Sequence, residues 1–276
     1  MGKVFVVLVI VITVFSLSVL PAIAGDSSNG PEKLPVYWEE GRGDTDWWGI
    51  TSDSMMCLGI FHGFRMSEEK TRKLLDGPFF KDWGDSIKSM EWKWDDGGKF
   101  FTNYIAHTWQ GSVYAFIYAD NNRESNEYLL GWNKQYWNNK NKQFLFSVAS
   151  TIQFEIGPIS EASVGNVGIN RPGAMRMVDF VATPILGVYV WSVFEDGLDR
   201  LAYSIEGEHR YWGRAIRFLC LTRSFVNTCL GFRTPWYRHR DKAIDMMRSK
   251  AEMMEIDREY ARLMELKSES MSQGRK

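Results

Sequence analysis

Four long stretches of this chain are dominated by apolar residues, at 100–119, 143–156, 175–201 and 214–231. Each is too long for a simple strand, so the pattern predicts buried helices. Gly157-Pro158 stops the second, and Gly231 with Pro235 closes the fourth. Pro184 lies inside the third and predicts a kink or a fresh turn, because proline lacks the donor a helix interior needs. Shorter helices are expected over 52–64, 68–75, 81–90 and 128–137, the first capped by Ser52 or Asp53 and the second by Ser67. Residues 94–98, 138–141 and 160–173 read as a turn, a polar loop and an irregular loop. Beyond Trp236, Met246, Met253, Ile256, Tyr260 and Leu263 recur at heptad-like spacing among charges. That is one long amphipathic helix, docked on the body or paired with a partner. Its short, Met-rich seam favours docking. No hairpin turn and no internal repeat occurs. The fold class expected is all-α, a compact bundle of short buried helices with a long amphipathic C-terminal helix.

The ends set the compartment. Lys3, an apolar run over 4–20 and Ala22-Ile23-Ala24 form a secretory signal pattern. The expected order is a signal peptide over 1–24, an extended leader over 25–50, a helical core domain over 51–237, and the C-terminal helix and tail over 238–276. The protein is therefore expected to be exported, and periplasmic or envelope-associated. The longest clean apolar run after the signal is 180–194, short of the roughly twenty residues a spanning helix needs. A water-soluble bundle resting on a membrane surface follows.

Composition changes this picture little. With 33 Lys+Arg against 34 Asp+Glu, the chain offers no electrostatic case for nucleic acid. Its three cysteines, Cys57, Cys220 and Cys229, form no disulfide framework and are expected as buried thiols. Aromatic residues are 14% of the chain. Trp83, Trp92, Trp94, Trp132 and Trp137 lie among charged or Asn-rich neighbours, as at a water–lipid boundary. Membrane lipid or an envelope protein is the expected partner.

Candidate chemistry comes from polar groups inside the apolar stretches, namely Asn103-x-x-x-His107-x-x-Gln110-Gly111, Gln153-x-Glu155-x-x-Pro158 and Asp179-x-x-x-Thr183-Pro184-x-x-Gly187. Burying such groups is costly unless they bond one another or serve a site. The spacing puts Asn103, His107 and Gln110 on one helical face. Glu155 stands near the end of the second apolar helix and Asp179 near the start of the third. If those ends meet, His107 can act as a general base oriented by Glu155 or Asp179, with Asn103, Gln110 and Ser160 binding substrate. The other reading is a satisfied polar network that sets helix register. No H-E-x-x-H occurs, and His62, His209 and His239 show no metal spacing, so neither a metal nor a cofactor is expected. The Arg233, Arg238, His239, Arg240 cluster reads as a solvated helix start or as a site for anionic headgroups.

In order and spacing these motifs, preceded by Trp94-Asp95-Asp96-Gly97 and Phe101, resemble a family of uncharacterised exported bacterial proteins, over roughly residues 90 to 200. Thr108 stands where that family usually has proline. The resemblance implies a helical domain in the cell envelope and brings no activity with it.

Overall fold

The computed structural model describes residues 33–75, 77–90, 94, 100–165, 177–206 and 209–273. The signal pattern, the start of the leader, Trp92 and most of the 94–98 and 160–173 segments lie outside them. The described residues form helices joined by irregular segments, and their one β-pairing is an isolated bridge between Thr45 and Asn122. The all-α expectation holds.

Helix α1 spans Trp47–Ser67. It starts earlier than the pattern predicts, because Asp46 caps it, its carboxylate accepting from the Gly49 N–H at 2.9 Å. Ser52 and Asp53 are therefore interior, Ser67 is the last residue of α1, and the leader ends before Trp47. Helices α2 (Glu69–Leu75) and α3 (Phe79–Lys88) follow. A π-helical turn over Thr102–Ala106 leads into α4, His107–Asp120, which is buried along nearly its whole length. Asn122 caps the short α5 (Arg123–Glu127).

Residues 128–133 are irregular, where a helix was expected. Asn133 then caps α6, Lys134–Ile156, with its side chain accepting from Tyr136 N–H at 2.8 Å. The polar 138–141 segment is not a loop. It belongs to α6 because Asn139 and Lys140 point inward, at 3% and 1% exposure. A second π turn, Glu161–Gly165, follows.

Helix α7 (Met177–Leu186), a third π turn (Gly187–Ser192) and α8 (Val193–Glu206) run on as one rod. Pro184 does not break it, since the wider π turn beyond takes up the misfit. This Met177–Glu206 rod is long and apolar enough to cross a membrane, although its clean apolar run, 180–194, falls short of that length when read as sequence alone.

The fourth apolar stretch is not one helix. It divides into α9 (Arg210–Phe218), a break at Leu219-Cys220, α10 (Leu221–Phe225) and a fourth π turn (Val226–Leu230). The break falls where Glu195 reaches across from α8, accepting from Thr222 N–H at 2.8 Å and Arg223 N–H at 3.0 Å. A carboxylate supplied in trans caps α10, and the chain must turn to meet it.

Helix α11, His239–Gln273, is the expected C-terminal helix, but it does not dock. Met246, Met253, Ile256, Tyr260 and Leu263 are all more than half exposed. Cys57 and Cys220 are buried and Cys229 is exposed, against the expectation of three buried thiols. Of the tryptophans, Trp94 and Trp132 are exposed, whereas Trp83 tucks in and donates to the Ile156 carbonyl.

Helix α4 is the axis of the bundle. It packs against α6, α7, the third π turn and α10. Gly111 makes the α4–α7 contact possible: a Cβ there would lie 1.9 Å from the Thr183 carbonyl oxygen. Gly187 faces it in turn, where a Cβ would lie 2.7 Å from the Gly111 backbone. Two glycines back to back let the helices approach at backbone contact.

Candidate functional site: an imidazole between two carboxylates

Three chain-distant residues meet where α4, α6 and α7 converge. His107 opens α4 directly after its π turn, Glu155 lies in the last turn of α6, and Asp179 in the first turn of α7. His107 Nδ1 stands 3.7 Å from Glu155 Oε1 and 3.5 Å from Asp179 Oδ1. The Glu155 side chain is 4% exposed, and those of His107 and Asp179 are 15% exposed. The cluster is thus dry on the Glu155 side and reachable from the other.

The close Gly111–Gly187 crossing brings Asp179 to His107, since it holds α7 against α4. The stripe Gln143, Ser147, Thr151 and Glu155 delivers the other carboxylate: all four are buried, at four-residue spacing on one face of α6. Ser147 anchors that face by donating to the Gly111 carbonyl at 3.2 Å.

Burial pushes the Glu155 carboxyl well above its usual range, and the neighbouring Asp179 and Glu161 add to the shift, with Arg65 opposing. Arg65 itself pairs with Glu161 at 3.3 Å. Among the described residues, Glu155, Asp179 and Glu161 thus share this region with Arg65 and His107.

The other sequence candidates surround the cluster differently. Asn103 is buried in the π turn before His107. That turn alters the α-helical register on which a shared face with His107 and Gln110 depends. Gln110 donates to the Tyr114 hydroxyl at 2.7 Å. Ser160 is fully buried and exchanges hydrogen bonds with Ser163 in the second π turn. It packs as a turn-former, one element away from the imidazole.

Several polar neighbours escaped sequence reading. His62 is 3% exposed, stacks on Phe154 at 4.7 Å, and neither of its ring nitrogens has a hydrogen-bond partner. Burial first and the nearby Arg65 second lower its pKa to about 4. The Thr151 and Thr183 hydroxyls, each 1% exposed, also lack partners. Thr151 precedes Glu155 by four residues and Thr183 follows Asp179 by four, so each sits one turn from a carboxylate on its own helix. The four-residue spacing on each helix was the available signal.

A second polar centre lies elsewhere in the core. Asp199 Oδ1 accepts from Arg238 Nε at 2.8 Å and Oδ2 from Arg240 Nη2 at 2.6 Å, with Arg217 and Arg223 at 3.3 and 3.4 Å. Lys140 uses all three ammonium donors, on Asp196, Gln143 and Ser192 at 2.7, 2.8 and 2.8 Å. Arg238, His239 and Arg240 are therefore buried, neither a solvated helix start nor a headgroup site.

The first centre offers one imidazole nitrogen and two carboxylate oxygens, all within 4.8 Å of one another. That set can hold a shared proton, or it can ligate a cation; the sequence had given no metal spacing. No protein-family model, curated protein or solved structure matches the chain.

Proposed function

We propose that this protein is an exported helical module of the cell envelope that docks on a membrane surface. The orientation of α9 carries the reading. Its buried face is Gly213 and Arg217, the latter fully buried, while Tyr211, Trp212 and Phe218 are 86, 69 and 54% exposed. Leu219 and Leu221 continue the exposed apolar surface past the end of the helix. A helix that buries the Arg217 guanidinium and turns these aromatic residues outward, with Arg210 exposed beside them, suits an apolar or interfacial surrounding. The second half of α6 has the same inverted arrangement, with Gln143, Ser147 and Thr151 inside and Leu145 and Ile152 outside. The N-terminal signal pattern and the resemblance to exported envelope proteins support the compartment. The exposed seam of α11 is available to a partner protein.

Liposome co-sedimentation tests this. The mature chain is expected to pellet with vesicles of bacterial lipid, and Trp212→Asp with Phe218→Asp is expected to leave a folded protein in the supernatant. Mature protein that ignores both liposomes and envelope extracts would end the membrane reading.

A second reading is favoured by the convergence of His107, Glu155 and Asp179: an envelope hydrolase or transferase acting on a lipid or glycan, with His107 as general base. Under it, His107→Gln keeps the fold and abolishes the cellular phenotype. Equal loss of fold and phenotype would assign the cluster to structure.

A further inference from the structure

We propose that His107, Glu155 and Asp179 bind one divalent transition-metal ion. The proposal is independent of membrane docking. It competes with the acid–base reading, because a ring nitrogen bound to a metal cannot also accept a proton.

The spacing decides between a direct ion pair and a coordinated ion. A charge-assisted hydrogen bond from a protonated imidazole would close to about 2.8 Å. The observed separations are 3.5 and 3.7 Å, and both carboxylates approach the same nitrogen, Nδ1. One N–H shared between two oxygens at these lengths makes only a weak three-centre contact. Around a tetrahedral ion with bonds of about 2.1 Å, neighbouring ligand atoms stand about 3.4 Å apart. The two nitrogen–oxygen separations match that spacing, and all three ligand atoms lie within 4.8 Å of one another.

The donor set points the same way. Glu155 and Asp179 each offer a carboxylate oxygen and His107 a ring nitrogen, a set that attracts a divalent cation.

A separate observation concerns the interior side. The unpartnered Thr151 and Thr183 hydroxyls each lie one helical turn from a carboxylate of the cluster on their own helix. A water in this polar interior would give them a partner. His107 and Asp179 retain some exposure, so a position also stays open toward solvent. Three protein ligands with an open position is the arrangement of a reactive rather than a purely structural metal. One imidazole with two carboxylates favours Zn²⁺, Mn²⁺ or Fe²⁺ over the all-oxygen preference of Ca²⁺ and Mg²⁺.

The test uses the full chain purified in mild detergent, stripped with a chelator, on a Cys229→Ser background that removes the exposed thiol. Zn²⁺ titrated by calorimetry is expected to bind at one ion per chain. Glu155→Gln and Asp179→Asn, which keep side-chain shape, are each expected to weaken it by at least about tenfold with helical circular dichroism unchanged. X-ray absorption of the zinc-loaded parent needs neither of these variants. It is expected to show one imidazole and oxygen ligands at about 2.0–2.2 Å. Failure of the folded parent to bind zinc, binding that survives both substitutions, or a shell without imidazole would each overturn the proposal.

Discussion

The two polar centres of this molecule are built from the same residue types and end in opposite states. Around Asp199, the cations Arg217, Arg223, Arg238, Arg240 and Lys140 meet Asp196, Asp199, Glu206 and Asp241. Around His107, the ring nitrogen Nδ1 stands 3.5 and 3.7 Å from the two carboxylates, farther than the closest bonds at Asp199. A buried ionic network of the first kind holds segments in register, joining α6, α8, α9, α10 and the start of α11. A cluster of the second kind gathers one ring nitrogen and two carboxylate oxygens within 4.8 Å of one another, a set that can take a cation or share a proton. Burial of polar groups alone does not separate scaffold from function; the donor set and its spacing do.

The sharpest way to break the comparison is to unbalance the Asp199 centre. Asp199→Ala leaves four buried guanidinium groups without their common acceptor, and is expected to cost about 3–5 kcal/mol or to prevent folding. Urea unfolding followed by circular dichroism measures it. The pH dependence has a definite sign. Although burial favours the neutral acid, Arg238, Arg240, Arg217 and Arg223 hold the Asp199 carboxyl well below its usual 3.8. Its stabilisation is thus complete above about pH 3.8 and is lost as the pH falls through the lower folded value.

Gly111→Ala attacks the geometry of the His107 centre. The added methyl meets the backbone carbonyl of Thr183, which cannot step aside as a side chain would. Separating α4 from α7 is expected to cost about 3 kcal/mol in thermal unfolding. Zinc affinity should fall with it, since His107 and Asp179 ride on those two helices.

His62 gives the His107 region an acid signature of its own. With a folded pKa of about 4 against an ordinary 6.5, the unfolded chain takes a proton in this window that the folded chain refuses. Stability therefore falls as the pH drops from about 6.5 toward 4, by about 2 kcal/mol between pH 7 and pH 5. His62→Phe, keeping the stack on Phe154, should flatten that slope in urea titrations at the two pH values.

The smallest expected effect is the most diagnostic. In chelator at neutral pH, Glu155→Gln should stabilise the protein by about 1 kcal/mol, because it removes a desolvated carboxylate from beside another. The parallel change Asp196→Asn, where Lys140 and Arg223 depend on the carboxylate, should destabilise. Equal signs for the two substitutions would erase the distinction between the centres.

Much of this was legible along the chain. The apolar stretches marked α4, the second half of α6 and the α7–α8 rod, and the four-residue spacings placed Asn103, His107, Glu155 and Asp179 as polar exceptions within them. Other features were hidden for identifiable reasons. Lys140 looks like a loop residue because its partners Ser192 and Asp196, in the third π turn and α8, lie more than fifty residues away. The break at Cys220 depends on Glu195 arriving from another helix. Arg238 and Arg240 read as solvated because local sequence contains no sign of Asp199.

Local sequence determined helix type, the side-chain caps at Asp46, Asn122 and Asn133, and the positions of the polar exceptions, because helical periodicity and capping act within one or two turns. Tertiary structure decided which exceptions meet, which faces of α6 and α9 turn outward, and which carboxylates find cations. Those outcomes depend on backbone contacts such as Gly111 against Gly187, and on electrostatic partners brought together only when distant helices pack.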